Sequence, residues 1–70
     1  MDSPYYARIP TKAQIRVAAA AIANARAGRR GAPHITNVLD ILPPRLLGEV
    51  MEDAKAALEA AEKQRSEESN

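Results

Sequence analysis

Between Arg26 and Asn37 the chain reads Arg-Ala-Gly-Arg-Arg-Gly-Ala-Pro-His-Ile-Thr-Asn, and several of these residue types are ones that hold anions. Arg26, Arg29 and Arg30 offer planar guanidinium forks that grip a phosphate or carboxylate through two parallel hydrogen bonds. His34, the one histidine, adds neutral donors together with Thr36 and Asn37, and a glycine on each side of the arginine pair lets backbone N–H groups join them. The same arginines close a helical pattern whose end is electrically negative. A solvated cluster that only complements the helix dipole, at about 0.3–1 kcal/mol per residue, therefore explains them too. Upstream stand Tyr5 and Tyr6, the only aromatics. A tyrosine ring here either packs over the helices or stacks on a planar ligand such as a nucleobase, a contact worth about 1–3 kcal/mol per base.

Bond-making chemistry is harder to assemble from this chain. It has no cysteine, no Gly-x-Ser-x-Gly, no phosphate-cradling Walker loop and no dinucleotide fingerprint, and His34 has only Asp40 nearby in sequence as an orienting acid. Without cysteine there is no thiolate for a zinc site, and one histidine is too few for the usual zinc sets. Glu49, Glu52 and Asp53 recur at helical spacing beside Lys55 and read as a solvated face rather than converging oxygen ligands. The expectation is a protein without catalytic residues, cofactor or metal.

The elements that must position the loop are legible from their punctuation. Residues 1–10, with Pro4 and Pro10, read as an extended arm. Thr11 and Gln14 make a capping box, with Pro10 and Ile15 where a hydrophobic staple would stand. A helix then runs over 12–27, with Gly28 as its left-handed stop. Its stripe is Ile15, Ala18, Ala19, Ile22 and Ala25/Arg26, widened nearly all round by further alanines, which implies that more than one face is covered. Ile35, Val38, Leu39 and Leu42 follow a helical period, so 35–42 reads as a short helix that Thr36 or Asn37 caps and Pro43-Pro44 ends. Pro44 opens a third helix over 44–64 that buries Leu47, Val50/Met51, Ala54, Leu58 and Ala61, with Leu46 at its start. Lys55–Glu59 and Glu59–Lys63 pairs are expected on its outer side. Gly48 in mid-helix suggests a close backbone neighbour, and residues 65–70 read as a frayed tail.

The chain's 70 residues include fifteen Ala beside five Leu, five Ile and three Val, with no Phe or Trp. Alanine removes little area from water, so such a core is thin for a lone chain and points to helices shared between copies. The fold expected is an all-α antiparallel hairpin of two long helices with a short helix between, forming a homo-oligomer. Net charge is +1, yet residues 1–45 carry seven Lys/Arg against two Asp and residues 46–70 carry three against seven Asp/Glu. That asymmetry fits an anion-binding front half or head-to-tail contacts between subunits. No apolar run is long enough to span a bilayer, and Met-Asp-Ser-Pro-Tyr-Tyr lacks the basic and apolar regions of a secretion signal, so a cytoplasmic protein is expected.

Two stretches carry a family resemblance. Ile15-Arg-Val-Ala-Ala-Ala-Ala-Ile22 and Asp53-Ala-Lys-Ala-Ala-Leu-Glu-Ala-Ala61, about a third of the chain, are similar to segments of short helical accessory proteins of tailed bacteriophages and prophages. Within that group the chain resembles counter-defence sponges in size, helical-hairpin design and a proline-containing basic connection. The resemblance implies an oligomer that sequesters a nucleotide second messenger of a bacterial immune system such as CBASS or Thoeris. It assigns no residue roles.

The expectation is thus a non-catalytic binder of an anionic small molecule, with Arg26, Arg29, Arg30, His34, Thr36 and Asn37 around the anion and Tyr5 or Tyr6 over a base. The rival is a module that inhibits a host enzyme or transcription factor, anchored by Ile35, Ile41 and Leu46. A structural phage component is a third reading. DNA binding is weaker, because a helix-turn-helix formed through Asp40–Pro44 would bring Glu49, Glu52 and Asp53 to the phosphates.

Overall fold

The structure, a computed structural model, describes residues 9–68, and these are helical apart from their connections. Helix α1 spans Lys12–Arg29, α2 Val38–Ile41 and α3 Pro44–Glu68. The expected all-α class with two long helices and a short one between them is what the chain adopts. Residues 1–8 of the arm expected over 1–10, and the last two residues of the tail, lie outside the described residues.

α1 starts as its sequence dictates. The Thr11 hydroxyl accepts a hydrogen bond from the Gln14 N–H at 3.0 Å, and the Thr11 N–H donates to Gln14 Oε1 at 2.9 Å. Two donors that the first helical turn leaves unmatched are thereby satisfied. The other end differs from expectation. The helix runs through Gly28 to Arg29, and Gly31, with φ +86°, is the left-handed residue. The Gly31 N–H donates to Gly28 O and the Ala32 N–H to Ala27 O, which is a Schellman closure. Either glycine could have served. The later one wins because Arg29 and Arg30 tolerate helical geometry and extend the run of backbone bonds.

α2 is a single turn, shorter than 35–42. Asn37 stands at its cap position but makes no capping bond with its side chain, contrary to expectation. Thr36 and Asn37 form the turn that leads into it, because Ile35 is tied elsewhere, as described below. α3 runs to Glu68, four residues past the expected Gln64. Gln64 Nε2 donates to Glu68 at 3.2 Å, and Arg65 hydrogen-bonds Glu62 one turn back. That hydrogen bond first, and the charge of Glu62 second, raise the Arg65 guanidinium above its ordinary pKa. The Lys55–Glu59 and Glu59–Lys63 pairs do not close. Arg45–Glu49, at 4.0 Å, closes in their place.

The core lies where α1 meets α3 and α2 covers α1. Ala19 and Ala23 of α1, Val38 and Leu39 of α2, and Val50 and Ala54 of α3 are buried, flanked by half-buried Ile15, Ala18, Ile22, Ile35, Leu42, Leu47 and Met51. Among the described residues three of the six that are buried are alanines, and Val50 is the largest side chain that is fully enclosed. Ala23 takes the place expected for Ala25, which faces water, as does Ala61. Gly48 has open space where a Cβ would stand, so no backbone of the same chain approaches it.

Candidate basic loop at the end of α1

Residues 29–37 carry the anion-holding side chains, and the fold fixes both ends of this segment. At the near end the Schellman closure anchors Ala32 to the last turn of α1. At the far end Asn24, on α1, reads the backbone of Ile35 through both faces of its amide. Nδ2 donates to Ile35 O at 3.0 Å, and the Ile35 N–H donates to Oδ1 at 2.9 Å. The pairing is partly buried, where a lost partner leaves a costly orphan, so it pins the loop back along α1 by about one and a half turns. Sequence reading passed over Asn24. Its signal is a single amide inside an alanine helix, a poor helix former with no local reason to be there.

Among the expected ligand-holding residues, Arg26 is already engaged. Its guanidinium donates to Asp53 of α3 at 2.7 Å, with the two side chains 34 % and 55 % exposed. This ion pair ties the end of α1 to α3 and largely neutralises Arg26. Arg16 approaches Asp40 at 3.9 Å and links α1 to α2 in the same way. Arg29 and Arg30 are exposed, and no described carboxylate pairs with either. His34, beside the pinned Ile35, is also exposed, as are Thr36 and Asn37. Arg29 thus closes α1, Arg30, His34, Thr36 and Asn37 lie on the tethered segment that follows it, and the sixth candidate, Arg26, is taken up in holding the helices together. Tyr5 and Tyr6 lie outside the described residues.

The chemistry of this loop is cationic and hydrogen-bond donating. Two guanidiniums with no counter-charge among the described residues share this segment with an exposed imidazole, a hydroxyl and an amide. No group of three or more His, Cys, Asp or Glu among the described residues is arranged to hold a metal. No described helix is long and apolar enough to cross a membrane. Ile41 and Leu46, on either side of Pro43-Pro44, are 58 % and 43 % exposed, whereas Ile35 is half-buried.

No protein-family model, curated protein or solved structure matches this chain.

Proposed function

We propose that the chain is a non-catalytic binder that sequesters an anionic small molecule, a nucleotide of the immune second-messenger kind, on the loop from Arg29 to Asn37. The observation that carries this reading is the pair Arg29 and Arg30, exposed and without a described counter-charge on a loop tied at both ends. Tethering reduces the ordering cost that a ligand would otherwise meet, and guanidinium forks suit a phosphate's geometry. His34, Thr36 and Asn37 supply neutral donors around the same anion, and a tyrosine of the arm covers the base. Arg26 contributes through Asp53, by holding the loop's base in place. In this reading the long helices form an antiparallel hairpin, and several hairpins associate, because six buried residues among those described make a small core for one chain.

Calorimetric titration with a cyclic dinucleotide, ADP-ribose and inorganic phosphate tests the reading. Saturable heat with a nucleotide, lost in the Arg29→Glu/Arg30→Glu double variant, supports it. Absence of heat with all three, from folded protein, ends it.

A second reading rests on Ile41 and Leu46, whose exposure across the proline turn suits anchors for a protein partner. One stoichiometric host protein retained by the wild type and lost in Ile41→Asp/Leu46→Asp would favour it.

A further inference from the structure

The backbone of the basic loop has few donors to spare. The Arg30 N–H donates to Ala27 O at 3.0 Å, the Gly31 N–H to Gly28 O at 2.9 Å and the Ala32 N–H to Ala27 O at 3.0 Å. The Ile35 N–H is spent on Asn24 Oδ1 at 2.9 Å, and Pro33 has no N–H to give. A backbone nest holds an anion through successive N–H groups aimed at it. From Arg30 to Ile35 His34 alone keeps an uncommitted N–H among the described residues. The glycine-flanked loop therefore lacks the backbone cradle that its sequence suggests, because Gly31 serves the helix stop instead. An anion on the axis of α1 would also meet the negative end of the helix dipole. What remains to hold one is a side chain reaching away from that axis.

Charge pairing singles out two such side chains. Of the six arginines described, Arg16, Arg26, Arg45 and Arg65 form ion pairs with Asp40, Asp53, Glu49 and Glu62. Arg29 and Arg30 have no carboxylate partner among the described residues, both are exposed, and they are consecutive. A single phosphodiester, with one negative charge, would leave one of these two guanidiniums bare beside the other. Two phosphate charges match both. The side chains leave the end of the helix about 100° apart, so each planar fork is free to take its own phosphate through paired hydrogen bonds.

We propose that the loop selects its ligand by charge number, taking a nucleotide with two phosphate charges, one on Arg29 and one on Arg30, through side chains alone. A nucleotide of the same base with a single phosphodiester binds more weakly. The proposal rests on the reading that the loop binds a nucleotide, and adds which class it takes and which contacts set the choice. Two phosphates bridged to each other and two held apart on a ring present the same charge, and the test separates them.

Calorimetric titration of the full chain with cyclic AMP, ADP-ribose and cyclic di-AMP, at one ionic strength, reads the selection on a shared adenine base. At least one of the two-phosphate ligands should bind about tenfold or more tighter than cyclic AMP. Preference for ADP-ribose would assign a bridged pair, and preference for cyclic di-AMP a separated one. Arg29→Gln and Arg30→Gln, at exposed positions with no ion pair to lose, should each erase most of the margin while helix content by circular dichroism stays unchanged. Cyclic AMP binding as tightly as both other ligands would overturn selection by charge number and leave the nucleotide reading standing. So would a margin that survives Arg29→Gln/Arg30→Gln, since the contacts would then lie elsewhere. No heat from any of the three, with folded protein, would end the nucleotide reading and this proposal together.

Discussion

Asn24 decides where the basic loop sits, and it does so by satisfying both polar groups of one distant residue, Ile35. Asn24→Ala should cost about 1–2 kcal/mol in urea unfolding, because two partly buried backbone groups lose their partner. Amide exchange at Ile35 should quicken by a larger factor than exchange in the middle of α1. Equal acceleration at both places would mean that the amide stabilises α1 generally and holds no loop. Arg26 and Asp53 behave differently. Their pair is a third to a half exposed, so Arg26→Ala should cost less than about 1 kcal/mol. It should weaken ligand heat less than Arg29→Ala or Arg30→Ala, because Arg26 acts on the loop only through Asp53. Sequence alone exposed the arginines as a group, since their density in a glycine-flanked loop is a local property. Which one was already taken depended on Asp53, 27 positions away, and spacing says nothing about that.

At the scale of elements, the helix starts were legible and the stops less so. The Thr11–Gln14 capping box is contained in four residues, and the chain forms it as read. Two glycines competed for the end of α1, and only a backbone angle, +86° at Gly31, separates them. α2 reads longer than it is because its apolar period includes Ile35, which Asn24 holds in the loop. α3 outlasts its expected end because Gln64, Glu68, Arg65 and Glu62 support one another along the last turns. The glycines give predictions of opposite sign. Gly31→Ala should lower the unfolding free energy by about 1 kcal/mol, since a Cβ is strained at positive φ. Gly48→Ala, in mid-helix with open space around it, should raise it by about 0.5–1 kcal/mol. A loss at Gly48 accompanied by a fall in assembled mass would instead locate a subunit contact on α3.

For the whole molecule the governing fact is an interior built from few large side chains, with three alanines among the six buried residues of the described chain. Composition announced that shortage, and among the described residues Val50 is the largest side chain that is fully enclosed. What composition could not reveal is which side of α1 remains uncovered, because fifteen alanines give nearly every face the same pattern. If association and ligand capture belong to one assembly, stability should depend on protein concentration, with the unfolding midpoint rising as the chain is concentrated. Native mass spectrometry of the purified protein tests the account most directly, since it reports subunit number and retained ligand at once. The account predicts a species of two or more 7.6 kDa chains carrying a nucleotide-sized adduct that Arg29→Glu/Arg30→Glu removes. A bare single chain, folded and free of adduct when a cyclic dinucleotide or ADP-ribose is supplied, would contradict it.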